Sequence, residues 1–327
     1  MNDIAVSVIM SVADGSPGLQ ESINSVLEQD CENFEFIIIH DGVSEEIDQI
    51  LSSYKDKRLN ILPNKSNLGL TVSLNKGLDI ARGKYIARLD SGDISLPHRL
   101  RLQLEHLERN QEIFLAGGNC VYIDPSGKEL FTSALPQRPE NINCLLAKKN
   151  VLLHSAIMFR NSDSLKYREK FFYAQDYDLY LRIVSSGKTI INLPDKLIKY
   201  RLDLGAVSFQ KKIFQDLFAE KAREFYVERI RSGRDNYVNF DPVRLLNTSL
   251  PRESAASSAG RTIKNAFEAC DMEEVRSKYR DYIRLRERKT PDRYSLYFLL
   301  SFFPLPLILI MRNFVSRIKS FWYRLQK

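Results

Sequence analysis

The stretch YIARLDSGDISLPHRL, residues 85–100, sets two carboxylates, Asp90 and Asp93, where an apolar segment (85–89) comes to its end. Carboxylates at the carboxyl end of a buried strand have two common uses. They hold a hard divalent cation, which takes oxygen ligands and bridges to a substrate's phosphates, or they accept hydrogen bonds from sugar hydroxyls. A plainer alternative is an acidic turn in which Asp93 or Ser95 caps the helix that Pro97 opens. A second acidic group, QDYDLYLR (175–182), puts Asp176 and Asp178 at the start of a helical pattern. There Asp178 stands four residues before Arg182, the spacing of a helical ion pair.

Other ways of binding phosphate are missing. The chain has no G-x-x-x-x-G-K-[ST], which excludes a P-loop, and no G-x-G-x-x-G follows the first apolar run, since ADGSPG (13–18) lacks the spacing. A sheet that binds phosphate here does so through carboxylate and metal. Zinc is not expected either: Cys31, Cys120, Cys144 and Cys270 form no CxxC, and His40, His98, His106 and His154 show no ligand spacing with them. The start, MNDIAVSVIMSVADG, carries no secretory leader pattern, so reduced thiols in a cytoplasmic protein are expected.

The elements that must position these acids alternate. AVSVIMSV (5–12) and FEFIIIH (34–40) read as buried strands, RLNILP (58–63) as a third strand and KYIARLD (84–90) as the end of a fourth. Between them, 16–29, 45–54 and 69–83 read as helices. In the last of these Leu70, Leu74, Leu78 and Ala81 share a face and Gly83 serves as C-cap. Strand and helix in this rhythm imply a mostly parallel α/β sheet, with ligands at the carboxyl ends of its strands. After residue 110 the rhythm changes. IFLAGGNCVYID and KELFTS read as strands joined by the DPSG turn (124–127), HSAIMFR (154–160) as another strand, and 174–187 and 209–233 as helices. PRESAASSAG (251–260) reads as a linker. The expected organisation is a domain over 1–208, with halves 1–110 and 111–208, a helical extension over 209–290, and a terminal segment, 291–327.

Hydrophobic content of 44% and charged content of 27% are those of a globular protein. The net charge of +7 is concentrated: residues 284–327 hold ten Lys/Arg against two Asp/Glu, leaving 38 against 39 elsewhere. This excess flanks YSLYFLLSFFPLPLILIM (294–311), which contains no charged residue. Basic flanks on an apolar run, with Trp322 beyond it, point to an anionic membrane surface and away from nucleic acid. The run is 18 residues long and interrupted by Pro304 and Pro306. It suits a monotopic or re-entrant attachment better than a full span, with a buried C-terminal helix or a dimer contact as the alternative.

VSVIMSV, FIIIHDG, NLGLTVSLNKGLDIARGKYIARLDSGDISLPHRLRLQ, HSAIMFR and QDYDLYLRI, in that order, resemble the motif series of family 2 glycosyltransferases. The likeness runs over about residues 5–208 and is strongest to the bacterial branch that builds capsule, O-antigen and exopolysaccharide. It implies the A-type fold, a single nucleotide-sugar-binding domain with a mostly parallel sheet flanked by helices, here followed by a C-terminal helical, membrane-associating extension. It also implies a UDP- or related nucleotide-sugar donor, a divalent metal (Mn or Mg) and inversion at the anomeric carbon.

Position by position, the resemblance places Ala13 and Asp14 beside the nucleotide and Asp41 on its base or ribose. Asp90 matches the first acid of the family's D-x-D motif. The second should fall at 92, where this chain has Gly92, followed by Asp93. Three outcomes stay open: Asp93 takes over the metal, the metal is held more weakly, or the enzyme is impaired. Where the family has a Glu-Asp pair, this chain reads Gln175-Asp176, making Asp176 the base. The helix N-terminus should lower its pKa, so burial near the acceptor would have to offset that pull. His154 aligns with a histidine near donor sugar or acceptor, or else is a satisfied core histidine. Arg88 reaches a phosphate, braces the acids, or is a surface arginine. Arg201, in YRLDLGAVS (200–208), is a candidate phosphate ligand in the segment that closes over the donor, though Asp203 stands where relatives often carry His.

The implied function is an inverting transferase at the cytoplasmic face of the inner membrane, acting on a polyprenyl-diphosphate-linked saccharide acceptor. A catalytically impaired partner in a polysaccharide-assembly complex and a nucleotidyltransferase on a similar sheet are the rivals.

Overall fold

The computed structural model describes residues 4–13, 18–202 and 209–247, together with 260, 263, 266–267, 272–285 and 293–303 in the C-terminal part. In chain order the first half contains β1 (Val6–Val12), α1 (Leu19–Leu27), β2 (Phe34–Asp41), α2 (Glu45–Ser52), β3 (Leu59–Asn64), α3 (Leu70–Ile80) and β4 (Tyr85–Arg88). These four strands are parallel, in the order β3-β2-β1-β4. The apolar runs of β1 and β2 follow from their central placement: every residue of β2 is buried, because helices cover the sheet on both faces, whereas β3, at the end of the strand order, is mostly half-buried or exposed. α1 contributes Leu19, Ile23 and Val26 to the core, and α3 contributes Leu74 and Leu78.

The second half adds β5 (Ile94–Ser95), α4 (Arg99–Arg109), β6 (Ile113–Ile123), β7 (Glu129–Thr132), α5 (Pro139–Leu146), β8 (Met158–Arg160), α6 (Gln175–Ser185), β9 (Thr189–Arg201) and α7 (Phe209–Ser232). The sheet continues from β4 through β8, β6 and β9 to β5. β8 runs antiparallel to both β4 and β6, β6 and β9 are parallel, and β7 pairs with β6 in a hairpin. All nine strands belong to one mixed sheet, with the mostly parallel half at β3-β2-β1-β4.

Three expectations shift. α3 ends at the extended Ala81, not at Gly83, and Leu70 is exposed because the inward face is Thr71, Leu74, Asn75 and Leu78. Gly83 instead permits a close crossing. A Cβ there would lie 2.4 Å from the Ser7 amide nitrogen, so glycine lets the chain pass tightly over β1. Its N–H donates to Ser7 Oγ, which in turn donates to the buried Glu35. Within HSAIMFR only Met158–Arg160 is strand, since His154–Ala156 forms a 3-10 turn. β9 and α5 had no clear signal, β9 because Pro194, Asp195 and Lys196 interrupt its apolar pattern at an exposed bulge.

The residues fall into two compact units, one running through Val207 and resuming over Phe214–Leu245, the other comprising Ser208–Ile213 and Leu246–Lys327. In the first, Phe171, Phe218, Phe225, Tyr237 and Phe240 pack ring against ring. In the second, helices Met272–Leu285 and Arg293–Leu300 bury Val275, Tyr282, Tyr294 and Leu300 with Ile263 and Phe267. Among the described residues no helix is long and apolar enough to cross a membrane. Most of the expected linker (251–259) and the end of the apolar run (304–311) lie outside the described residues.

The tight crossing at Gly83 yields a first prediction. Gly83→Ala should destabilise the protein by about 2 kcal/mol, the usual range for a forced overlap with backbone. The measurement is a lower midpoint in urea unfolding at unchanged slope.

Candidate active site

β4 delivers the chain to the carboxyl edge of the sheet through the buried Leu89, and Asp90, Ser91, Gly92 and Asp93 then turn it into β5. The Asp93 N–H donates to the Asp90 carbonyl (3.2 Å), closing the turn. Gly92 has φ 99°, in the left-handed region that disfavours a side chain. The acid expected at this position is thus missing where the backbone itself selects glycine. α1 pins the turn from one side: Ser22 Oγ accepts from Gly92 N–H (2.9 Å) and donates to the Asp93 carbonyl (2.7 Å). β9 pins it from the other, with Arg201 N–H to Asp93 Oδ1 (2.8 Å) and Arg201 Nε to the Gly92 carbonyl (2.9 Å).

Both candidate phosphate-binding arginines are engaged by groups of the protein itself. Arg88 is not on the surface; it is 1% exposed. One of its terminal nitrogens donates to the Ile9 and Leu89 carbonyls and the other pairs with Asp90 Oδ1. Arg201 directs the rest of its guanidinium to the Pro125 carbonyl (2.8 Å) and to Glu21. The reason is steric as much as electrostatic: each guanidinium is enclosed by carbonyls of neighbouring strands and turns that need donors. Beneath Arg88 lies a second buried arginine, Arg99, whose Nη2 donates to the Arg88 carbonyl (2.7 Å) and the Ile157 carbonyl (3.1 Å). Burial, and then the Arg88 charge, lower its pKa to about 9, which leaves it cationic at neutral pH.

The two acids of the turn ionise differently. Burial alone would raise the Asp90 pKa, but Arg88 reverses this, with Ser155 Oγ donating to Oδ2 (3.0 Å), and the net shift is downward. Asp90 is therefore a carboxylate, and 37% of its side chain remains exposed to meet a ligand. Asp93 is 4% exposed; burial first, and the neighbouring Asp90 charge second, raise its pKa to about 7. Its Oδ2 has no hydrogen-bond partner.

Asp176 sits in the first turn of α6, immediately after Ala174, whose φ of 55° makes it the one non-glycine residue in the left-handed region among the described residues. That backbone turn starts the helix abruptly at Gln175-Asp176. The helix N-terminus pulls the pKa down as expected, through the Tyr177 N–H. Burial outweighs it, Asp90 adds to the burial, and the result is about 6. Asn150 Nδ2 donates to Asp176 Oδ2 (2.8 Å). Asp178, by contrast, is wholly buried. Its expected partner Arg182 is there (2.9 Å), but as one link in a network with Arg168, Asp235 and Arg229. This separates the two acids: Asp176 keeps an accessible edge and a perturbed pKa, while Asp178 is a structural tie.

His154 joins the acids on the far side of Asp90. Its Nε2 lies 2.8 Å from the Tyr167 hydroxyl and its Nδ1 3.9 Å from Asp90 Oδ2. Burial, then Arg88, push its pKa down to about 3, so the ring is neutral at physiological pH. Tyr180, also near Asp176 and Asp90, has a buried hydroxyl with no partner. Asp41 is 2% exposed; its Oδ1 accepts from Leu68 N–H (2.7 Å) and Asn64 Nδ2 (2.9 Å), which ties loop 64–69 to the end of β2. Ala13 is half-buried at the end of β1, and Asp14 lies outside the described residues.

The structure thus brings Asp90, Asp93, His154 and Asp176 together, with Arg88 and Arg201 beneath and beside them, while Asp41 and Ala13 stand on the neighbouring strand ends. Ser22, Arg99, Asn150, Ser155, Tyr167 and Tyr180 also belong to the site and escape a reading of the sequence. Only Ser155, beside His154, carries a signal. Among the described residues no three His, Cys, Asp or Glu side chains form a complete metal cage. Two carboxylates with one buried, unpartnered oxygen still suit a hard cation that completes its shell with a substrate's phosphate oxygens and water.

The raised pKa of Asp93 makes it a stability liability. The folded state binds this proton more tightly than the unfolded chain, so the cost is absent below about pH 4, grows between pH 4 and 7, and is complete above pH 7. Asp93→Asn is therefore expected to stabilise the protein by on the order of 2 kcal/mol at pH 8 and by little at pH 4, as read from urea unfolding at both pH values.

Residues 7–168 match the family model described as "Glycosyl transferase family 2". An uncharacterized glycosyltransferase of Methanocaldococcus jannaschii is 34% identical over 210 residues, covering 62% of this chain and 72% of that one. The amylovoran biosynthesis glycosyltransferase AmsE of Erwinia amylovora is 33% identical over 187 residues, covering 56% and 70%. A UDP-Glc:alpha-D-GlcNAc-diphosphoundecaprenol beta-1,3-glucosyltransferase, WfgD of Escherichia coli, is 28% identical over 64% and 82%. Among solved structures, S. aureus TarS 1-349 in complex with UDP-GlcNAc superposes with a TM-score of 0.55 at 14% identity, over 90% of each chain, a likeness of fold.

Proposed function

Because the chain belongs to glycosyltransferase family 2, we propose that it is an inverting enzyme that moves a sugar from a UDP-sugar to a lipid-linked saccharide in the assembly of a cell-surface polysaccharide. The observation that carries this reading is the division of labour among its acids. Asp90 is held ionised at the strand edge, and Asp176, across from it on α6, has a pKa of about 6. Such a group is ionised at neutral pH yet basic enough to take a proton.

In this reading the donor's nucleotide lies over the ends of β1 and β2, near Ala13, Asp14 and Asp41. Its diphosphate lies at the Asp90–Asp93 turn. Those two carboxylates would hold Mn or Mg, which when bound supplies positive charge to the departing nucleoside diphosphate. Arg88 and Arg201 fix the turn. Asp176 takes the proton from the acceptor hydroxyl as its oxygen bonds to the anomeric carbon and the bond to the diphosphate breaks. Attack from the face opposite the leaving group inverts that carbon. His154, neutral and hydrogen-bonded to Tyr167, lines the same acidic side.

A lipid-linked acceptor accords with the name of the E. coli relative, WfgD, which specifies a diphosphoundecaprenol-linked substrate. It also gives the C-terminal unit a purpose. On helix Arg293–Leu300 and the turn after it, Tyr294 and Leu300 face inward while Leu296, Leu299, Phe302 and Phe303 are exposed. That apolar face runs on in sequence into the uncharged run and the basic residues beyond it. A peripheral or monotopic seat at the cytoplasmic face of the inner membrane follows, with the apolar face in the lipid.

Gly92 favours one rival, an impaired family member acting as a structural partner. A panel of nucleotide-sugars with and without manganese separates the two. Metal-dependent release of nucleoside diphosphate, lowered about 100-fold or more in Asp176→Asn, is the expected result; no release with any donor would favour the impaired partner. Release of pyrophosphate would favour nucleotidyl chemistry. For the membrane seat, the full chain should sediment with vesicles rich in anionic lipid, and Leu299→Glu with Phe303→Glu should weaken this about tenfold. Equal sedimentation of the double variant would refute the role of that face.

A further inference from the structure

Asp176 receives one side-chain hydrogen bond among the described residues, from Asn150. Asn150 lies 26 positions upstream, in the loop after α5, and nothing in the sequence pattern couples the two. Its amide cannot be reversed: Oδ1 accepts the Leu152 N–H (3.0 Å), which obliges the NH2 group to face the Asp176 carboxylate. The loop itself is anchored at both ends. On one side the Tyr177 hydroxyl of α6 donates to the Leu146 carbonyl. On the other, the buried Asn192 of β9 donates to the Val151 carbonyl (3.2 Å). Val151 and Leu152 are buried, whereas Asn150 is exposed and fills no part of the core.

An exposed side chain with both amide ends committed, one to its own loop and one to the acid, is placed for that acid. Resting on the transferase reading above, we propose that Asn150 is a positioning residue that fixes the rotamer of the proton-accepting Asp176 and keeps its carboxylate ready for the acceptor hydroxyl. It acts on charge as well as on geometry, because an N–H donor favours the ionised carboxylate and opposes the effect of burial. Among the described residues, titratable groups near Asp176 include Asp90 from the turn after β4, Tyr167 from the segment before α6, Tyr200 from β9, and Tyr180 on α6 itself, with Arg88 acting on the same cluster. Burial keeps the three tyrosines as neutral phenols, so Asp90 is the negative charge among these four, and the Asn150 amide is a side-chain donor that counters it.

The test uses the full chain with carbon-13-labelled aspartate, the Asp176 carboxyl signal being identified by its loss in Asp176→Asn. In Asn150→Ala the proton affinity of Asp176 should rise about tenfold. The acidic limb of the pH–rate profile for nucleoside diphosphate release should move to higher pH by the same factor, and UDP affinity should change less than twofold. Asn150→Asp, which replaces the donor with a second negative charge, should move both further in the same direction. Asn150→Ser retains an acceptor for the Leu152 N–H and should resemble Asn150→Ala, so a folding defect in the alanine variant would not mask the effect. An unchanged Asp176 titration in the serine and aspartate variants would overturn the proposal, as would a fall in rate with no movement of the acidic limb. If the unaltered chain released no nucleoside diphosphate with any donor, the transferase reading would fall, and the carboxyl titration alone would still decide whether Asn150 controls Asp176.

Discussion

The site depends on a buried positive charge placed behind a negative one. Arg88 is the side chain of a core strand residue, almost wholly buried, and its terminal nitrogens pair with the Ile9 and Leu89 carbonyls and the Asp90 carboxylate. This pairing keeps Asp90 ionised. Once that charge is fixed, the neighbours follow: Asp93, sealed in and beside it, holds its proton up to about pH 7, and His154, facing the same arginine, loses its proton by about pH 3. A divalent cation reaching this edge would therefore meet one formed carboxylate and a second that its own charge would deprotonate.

Gly92 belongs to the same constraint. Its left-handed backbone and its hydrogen bonds to Ser22 and Arg201 hold Asp90 and Asp93 on one turn, with the Asp93 side chain tucked under β9. An acid at 92 would require that turn to be built differently. The departure from the family's D-x-D pattern is thus a change in backbone as well as in ligand, and Asp93 offers its carboxylate from a different setting than Asp90 does. It is more buried than Asp90 and is tied through one oxygen to the Arg201 N–H.

Much of this is legible in the sequence where the signal is local. The four parallel strands announce themselves through short, mostly apolar runs, and Asp90 and Asp176 through their places at element ends. What stays illegible is carried by long-range contacts. For Arg88 and Arg201 a sequence shows the charge and not the carbonyls waiting for it, which for Arg201 come from residues 92, 124 and 125. Gly83 looks like a helix stop, although its reason is the approach to Ser7, 76 residues away. β9 escapes notice because an exposed bulge hides its period. Asn150 has no local signature at all, its partner being set by how two loops meet.

Asp176, finally, shows how far along the chain the site's supports reach. The family match stops at residue 168, yet Asp176 is on a helix held down by what lies beyond. Asp178 pairs with Arg182 and Arg168, Arg168 pairs with Asp235, and Asp235 pairs with Arg229 of α7. The Arg168 guanidinium also lies 4.3 Å from the centre of the Tyr237 ring. A buried chain of charges of this kind adds little net stability when complete, but it is costly to interrupt, by about 3–5 kcal/mol when one partner is removed. Its value lies in geometry. It fixes the direction of α6, which like-charge repulsion between Asp90 and Asp176 would otherwise tend to turn away. Residues 214–240 are therefore part of what holds α6 and Asp176 in place, and the aromatic packing of Phe171 with Phe218, Phe225 and Phe240 is the apolar half of the same clamp.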